Sequence, residues 1–472
     1  MLTVTNGSRT KMKIKLNWKL IAGLAGLNLA FTSLAASDLE LEQLKKQIQE
    51  LDQKVRVLER EREIDQDNAS ALAKTAPKII IGGSGASFSS GDSDFTAQIH
   101  GVAQLDSRTF FQDGGLNGND GFLLRRARPI LSGTVFHDFD YNFTPEFGGS
   151  TVQIQDAYLN YRYRPEFQVR AGKFKSPVGL EQLQSDPVTL FNERSLATDL
   201  VPNRDLGVEL LGDISGGVAS YALGVFNGAS DYNGTTVNTS FQDDKTFAGR
   251  VFFQPWKKSS VNALRGLAFG VGGSYQANHP ATNAATGLTP GYTTDGQQRF
   301  FTYNAGVNAN GAAWRVSPQA YYNYGPLGLL AEYVISDQQV ASATKSADLQ
   351  NTAWQISGGW VLTGEEASYN GITPLHPFDP RRGQWGAWQV VARYGALDVD
   401  GKAFQDGFAS STKSADSATA WSVGLNWYLN KNIRANLSYS HTTFGGFTGK
   451  AAPGTVPAQT ENVLFSRVQL AF

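Results

Sequence analysis

The chain has 472 residues, which suits two or three globular domains or one large β-barrel. Only 18% of the residues are charged, 50 are glycine and none is cysteine, so a disulfide scaffold is excluded and a cytosolic thiol or metal enzyme is disfavoured. The net charge of −1 provides no general basic surface for nucleic acid. The five histidines lack metal-ligand spacing and no nucleophile stands beside a base, so we expect no enzyme activity, no metal and no cofactor.

The N-terminus is typical of a secretory signal peptide, which we predict over residues 1–35. Four lysines precede an apolar run, and Ser33 and Ala35 fit a cleavage site of small residues. The apolar run is short for a membrane-spanning helix. A start at Met12 instead of Met1 would leave a more compact signal peptide, and the sequence alone leaves this choice open.

A heptad pattern over residues 38–67 predicts a helical coiled coil on the periplasmic side. Apolar residues alternate at spacings of three and four, and most of their e and g neighbours are polar, which narrows the apolar stripe to a seam. A solitary amphipathic helix is the alternative, because so few heptads are marginal alone. β-Branched residues at a with leucine at d favour a dimer. The seam residues are Leu41, Leu44, Ile48, Leu51, Val55 and Leu58.

Residues 68–94 are rich in glycine, serine and alanine, and this composition predicts a flexible linker. The Gly-Gly-Ser-Gly run at 82–85 lacks the Lys-Ser/Thr of a phosphate-binding loop.

From residue 95 to 472 apolar and polar residues alternate with period two, in segments of roughly ten residues separated by turn residues. A membrane barrel needs only one apolar face per strand, whereas a soluble sandwich rarely continues for so many strands. Eight of the nine tryptophans lie from Trp256 onward, mostly near predicted strand ends, as in the aromatic belts of outer-membrane barrels. We therefore predict a transmembrane antiparallel β-barrel.

The predicted turns largely alternate between short and long, which gives sixteen strands with both chain ends in the periplasm. A brief outer loop at 148–151 and long inner turns at 256–263 and 364–384 break the alternation. Short turns are predicted at 137–139, 164–166, 215–217, 324–327 and 430–432, and long loops at 112–120, 176–203, 228–243, 278–315, 339–350, 398–416 and 444–460.

The last predicted strand alternates up to a terminal aromatic residue, Phe472. A terminal phenylalanine on an amphipathic strand resembles the signal recognised by the outer-membrane assembly machinery. An ordinary edge strand that happens to end in phenylalanine is the alternative.

The predicted barrel also carries a series of short segments: LLRRAR at 123–128, FDY at 139–141, DAYL at 156–159, GKFKSP at 172–177, ERS at 193–195, TGE at 363–365, GAW at 386–388, RY at 393–394 and LNWY at 425–428. In this order they resemble the phosphate-selective porins of the O and P type in Gram-negative outer membranes. The resemblance implies a homotrimer of sixteen-stranded barrels in outer-membrane lipid, each narrowed by inward-folded loops and lined by arginine and lysine that pass small anions. A trimer conflicts with the dimer preference of the heptads, and we follow the barrel because its interface is larger.

Fixed positive charge at a water-filled constriction raises the local anion concentration, so the candidate anion-binding residues are cations on lumenal faces. Strand parity favours Arg126, Arg128, Arg162 and Arg170, and places Arg125 on the other face, near a rim. Residues 176–203 form the third outer loop, the expected eyelet. The first candidates for the eyelet are Lys173, Lys175 and Arg194. Arg204, which directly follows the loop, is a further candidate. Arg299 and Arg315, in the fifth loop, are second choices.

Each of these cations has a structural alternative, which is a salt bridge that fixes the loop, for example with Glu193. From residue 95 onward the chain holds 28 basic and 30 acidic residues, so any anion preference depends on placement. We predict passive diffusion of small anions such as phosphate or polyphosphate. A weakly selective general porin, or an envelope tether acting through the coiled coil, are the alternatives.

Overall fold

The computed structural model describes residues 38–111, 118–149, 151–231, 243–278, 288–446 and 460–472. The chain divides into two compact units, Met1–Ala73 and Lys74–Phe472, and each is described by itself. The predicted signal peptide and the choice of start residue lie outside the described residues.

The first unit contains one long helix, α1, over Asp38–Thr75. The apolar residues of the predicted heptad seam are all exposed on it, from 48% for Val55 to 63% for Leu58. Ion pairs between neighbouring turns, such as Arg56 with Asp52 at 3.0 Å, support the helix. No helix in the described part of the chain is long and apolar enough to cross a membrane.

Regular structure occupies much of the predicted linker at 68–94. Helix α1 continues to Thr75, and a hairpin follows with strands Lys78–Gly82 and Gly85–Ser89. The glycine-rich run provides the turn of this hairpin, since Gly85 adopts a φ of 84° that side chains rarely tolerate. Composition alone suggested a linker because it does not distinguish a glycine turn between two strands from a flexible segment.

The second unit is a closed antiparallel barrel of sixteen strands, which confirms the predicted fold and strand count. The last strand pairs with the first, from Val463 with Phe110 to Ala471 with Val102, so the barrel has no free edge. The hairpin extends this sheet by pairing with the start of the first strand. The barrel strands are β1 Thr96–Phe110, β2 Gly121–Val135, β3 Phe139–Glu146, β4 Gln153–Arg164, β5 Phe167–Lys175, β6 Arg204–Ile214, β7 Ala219–Phe226, β8 Thr246–Phe253, β9 Leu267–Gln276, β10 Asn308–Tyr324, β11 Leu327–Ala341, β12 Ser346–Val361, β13 Ala387–Asp398, β14 Ser417–Tyr428, β15 Ile433–Gly445 and β16 Thr460–Ala471.

The two faces of the barrel differ in polarity. Arg434 and Asn436 of β15 are buried inside the barrel. Leu437, the residue after Asn436, is 51% exposed on the outer face. The same alternation repeats around the barrel, as expected for a polar lumen and an apolar surface toward lipid. At one rim the rings of Trp388 and Trp427 stack with centroids 5.0 Å apart, consistent with an aromatic belt.

Long connections gather at one end of the barrel, the loop end, and most short turns at the other, the turn end. The predicted order is confirmed with one difference: residues 342–345 form a four-residue turn where a long loop was predicted over 339–350. Strands β11 and β12 extend further than their sequence pattern indicated, since Ala341 still pairs with Ser346. Short helical turns lie in the connections, at Leu180–Leu183, Asp186–Val188, Leu196–Leu200, Asn262–Arg265, Pro380–Arg382 and Lys402–Gln405, with one small strand pair at Tyr292–Thr293 and Arg299–Phe301.

Candidate functional site

Several connections fold into the barrel and narrow its lumen. The third loop, L3 (residues 176–203), crosses the interior, as predicted. The fifth loop, L5 (residues 277–307, described from 288), also enters from the loop end, where Thr293 N–H donates to Asp199 of L3 at 2.8 Å. The inner turn, residues 362–386, meets L3 from the turn end, where the Tyr369 hydroxyl donates to the Leu180 carbonyl at 2.7 Å.

One side of L3 is held by side chains that bind its backbone carbonyls. Arg434 of β15 donates to the Thr189 carbonyl at 2.8 Å, and Asn426 of β14 donates to that of Leu190 at 3.0 Å. Arg467 and Gln469 of β16 and Arg393 of β13 bind further L3 carbonyls in the same way. Because each contact satisfies a buried backbone acceptor, L3 is fixed along much of its length.

L3 is also held by ion pairs, and one of their centres is Glu193. Its carboxylate lies 2.9 Å from Arg108 Nη2 and 2.6 Å from Arg125 Nε, with Arg467 Nη2 at 3.7 Å. Arg467 in turn forms a fully buried bidentate pair with Asp106 on β1, at 2.5 and 2.7 Å. This network ties L3 to the seam where the barrel closes.

The second ionic centre is Asp186, on which three guanidinium groups converge. Arg194 Nη1 lies 2.6 Å from Asp186 Oδ1, Arg126 Nη2 lies 3.3 Å from the same oxygen, and Arg128 binds Oδ2. Arg128 also contacts Glu146 Oε2 at 2.5 Å. The cluster therefore joins L3 to the wall formed by β2 and β3.

Burial and neighbouring charge act in opposite directions on the pKa of these loop carboxyls. Burial alone would raise the pKa of Asp186, but the surrounding arginines hold it well below the usual range. The same opposition leaves the pKa of Glu193 below its usual range. Burial raises the pKa of Asp199 well above its ordinary value, because the hydrogen bond from Thr293 compensates only in part and Asp295 and Asp231 lie nearby.

Two cavities lie on either side of the Asp186 cluster, against the wall of β2 to β6. The loop-side cavity has a volume of about 460 Å³ and the turn-side cavity about 310 Å³. Arg128, Asp186 and Arg204 line both cavities, so these three side chains lie between them.

L3 also passes directly over a strand at a glycine, where no side chain obstructs it. A Cβ atom on Gly272 of β9 would lie 2.2 Å from the Val178 carbonyl oxygen of L3. We expect Gly272→Val to force the loop away at a cost of about 1–3 kcal/mol, as overpacking does. The single-channel conductance should shift, while Gly121→Ala, which points into open space, should leave it unchanged. An unaltered conductance in the valine variant would contradict this placement of L3.

The sequence model of the family described as "Phosphate-selective porin O and P" matches residues 98–472, almost the whole barrel. The chain belongs to this family. It is therefore a porin, a diffusion channel of the outer membrane rather than an enzyme.

Two similar proteins agree with this assignment. Porin O of Pseudomonas aeruginosa is 24% identical over 377 residues, which cover 74% of this chain and 83% of that protein. The outer membrane channel DcaP of Acinetobacter baumannii has a similar fold, with a TM-score of 0.52 at 12% identity over 81% of this chain and 98% of that one.

Six of the eight cations predicted for the porin site line the cavities. Arg126, Arg128 and Arg194 contact Asp186, as described above. The others are Lys175, whose Nζ donates to the Gln184 carbonyl at 2.7 Å, Arg204, paired with Asp156 at 3.0 Å, and Arg170, 3.7 Å from Glu209 and stacked 4.8 Å from the Tyr158 ring.

The remaining predicted cations lie elsewhere. Lys173 is buried but lines neither cavity, and Arg162 is 43% exposed, paired with Asp140 near the turn end. Of the second choices, Arg315 binds Asp231 at 2.6 Å and Arg299 is exposed on L5.

The prediction for Arg125 was wrong, and two arginines that line the loop-side cavity, Arg125 and Arg108, were missed. β2 contains a bulge opposite Gln104 and Leu105, which pair with Arg126 and Leu124, so that Arg125 is the extra residue of the bulge. The bulge turns Arg125 inward beside Arg126, so strand parity failed at this position. Arg108 also lines the loop-side cavity, and its lumenal parity with Asp106 was the available signal.

Proposed function

We propose that this porin conducts small anions, phosphate or polyphosphate among them, along the passage lined by the two cavities. The observation that supports this is the local charge balance. Six arginines and four carboxylates line the loop-side cavity, and four cations and two carboxylates line the turn-side cavity. The passage thus carries excess positive charge although the barrel as a whole is nearly neutral.

The chemical type of these cations favours oxyanions. Most of them are arginines, whose planar donor forks match phosphate oxygens, and Lys175 adds a point charge. Family membership agrees with phosphate as a solute.

The test is a planar bilayer experiment with the purified full chain. We expect the reversal potential in a KCl gradient to show anion preference, and added phosphate to block the chloride current. Cation preference without a phosphate effect would defeat the anion proposal while leaving the porin assignment intact. A slight anion preference without block would favour a weakly selective general porin.

We also propose a homotrimer in outer-membrane lipid, with α1 as a periplasmic coiled coil. The exposed heptad residues of α1 support self-association, since nothing in its own unit covers Leu44 or Ile48 among the described residues.

Phe472 exchanges backbone hydrogen bonds with Gly101 and is 42% exposed, which supports its proposed recognition by the assembly machinery.

A further inference from the structure

Two buried carboxyl groups from different parts of the chain hold L5 inside the lumen. Asp199 of L3 accepts a hydrogen bond from the backbone N–H of Thr293 at 2.8 Å, and Glu461 at the start of β16 accepts one from the hydroxyl of Thr294 at 2.9 Å. Gly296 of L5 packs on Glu461, since a Cβ atom there would lie 2.7 Å from Glu461 Oε1. The two acidic residues are only 3% and 2% exposed.

Neither carboxyl has a cation to compensate its charge. In the described part of the chain, Asp199 and Glu461 form no ion pair, whereas the arginines on the surrounding strands β10, β13 and β1 already bind other carboxylates. These pairs are Arg315 with Asp231 at 2.6 Å, Arg393 with Asp295 at 2.7 Å and Arg108 with Glu193 at 2.9 Å.

The other charged groups that face the two carboxyls include further acids. Asp295 of L5 and Asp231, which follows β7, act on Asp199, while Asp295 and Arg108 act on Glu461. Burial raises the pKa of Asp199 well above its ordinary value, and the N–H of Thr293 compensates only in part. With L5 in place, an ionised carboxylate at either position is therefore a buried charge without a partner of its own.

We propose that L5 is a pH-dependent gate, which is docked in the lumen while Asp199 and Glu461 carry protons and loosens as they ionise. This inference goes beyond the choice of solute, because it concerns how widely the lumen is open to any ion. It also gives a function to two buried acids that lie outside the arginine clusters of L3.

The direction of the effect follows from the linkage between protonation and docking. When L5 leaves, water reaches the carboxyls, so docking takes up protons. The docked state is at full strength below the ordinary pKa of 3.8 for Asp199 and weakens as the pH rises from there through the raised docked-state pKa. Within this range, each pH unit changes the docking equilibrium by up to about tenfold for each titrating carboxyl.

The test records single channels of the purified full chain in planar bilayers at about pH 5 and about pH 8. We expect the ratio of dwell times in high- and low-conductance states to rise about tenfold or more with pH in the wild type. Asp199→Asn and Glu461→Gln keep acceptor oxygens for the two threonines but take up no proton. The double variant should remain in the low-conductance state at both pH values.

The matched control is Asp205→Asn. Asp205 of β6 is also a buried carboxyl without an ion pair within the described ranges, and it accepts hydrogen bonds from the backbone N–H groups of Leu206 and Gly228, both at 2.7 Å. None of these contacts involves L5, so this variant should keep the wild-type pH response.

A pH-independent dwell-time ratio in the wild type would overturn the inference. So would a wild-type pH response in the double variant, or loss of the response in Asp205→Asn.

If the double variant does not insert, cysteine labelling decides instead. Thr289 of L5 is 6% exposed, and the chain has no native cysteine. Labelling of Thr289→Cys by a charged maleimide should accelerate with pH more than that of Thr344→Cys, an exposed site that reports the ionisation of the thiol itself. Equal acceleration at the two sites would show that L5 does not loosen with pH.

Discussion

Replacing Glu193 by glutamine should lower the free energy of unfolding by about 3–5 kcal/mol, the usual cost of removing one partner from a buried ion pair. The glutamine keeps an acceptor oxygen but leaves the buried charges of Arg108 and Arg125, and of Arg467 at 3.7 Å, without their shared counter-charge. Urea unfolding in detergent micelles, followed by tryptophan fluorescence, measures the difference.

The pH dependence of this difference follows from the sign of the Glu193 pKa shift. The folded-state pKa lies below the ordinary glutamate value of 4.5, so the ionised carboxylate stabilises the folded state. That contribution is fully present above the unfolded value and is lost as the pH falls from 4.5 through the folded-state pKa. The gap between wild type and Glu193→Gln should therefore be constant near neutral pH and shrink in acid.

The control for Glu193 is Glu366→Gln, an exposed carboxylate of the inner turn, whose stability should stay within about 0.5 kcal/mol of wild type. A loss below about 1 kcal/mol in Glu193→Gln, or a gap that does not change with pH down to strong acid, would show that Glu193 is not the ionic centre of the L3 attachment.

The barrel could be predicted from sequence because its rules are local. Strand pleating gives a period of two, and turn residues mark each reversal, so the sixteen strands could be counted without any long-range information. L3 followed from its place in that count. The error at residues 339–350 also came from a local rule, since polar strand residues such as Gln339 and Gln350 resemble loop residues when only the sequence is considered.

The organisation of the site could not be predicted, because it depends on distant contacts. Parity found several lumenal cations but failed at Arg125, where a bulge breaks the register. The carboxylates Asp186 and Glu193 appeared in the sequence only as residues of L3. Their role as centres of two arginine clusters requires β1, β2 and β16 to meet at one seam, and nothing in the local pattern encodes which acid each arginine will face.

Replacing Phe301 of L5 by alanine should raise the conductance of the channel, because L5 folds into the lumen. Phe301 is fully buried, with its ring stacked on Tyr292 at 5.2 Å and against Tyr303 at 5.0 Å. Removing a buried phenylalanine ring costs about 3–5 kcal/mol, and each 1.4 kcal/mol is tenfold in an equilibrium constant. We therefore expect L5 to leave its position in the lumen often. This movement should raise the mean conductance and the current fluctuations in bilayer recordings.

The size-matched control for this change is Phe122→Ala, which removes the same ring from a position that is 82% exposed and should leave the conductance unchanged. Anion preference should weaken in Phe301→Ala, because water admitted beside L5 bypasses the cations around Asp186. A higher conductance with undiminished anion preference would mean that ions still pass the Asp186 cluster when L5 moves. Wild-type conductance and fluctuations in Phe301→Ala would instead show that the contact of Thr293 with Asp199 and the binding of Asp295 by Arg393 hold L5 without the aromatic packing.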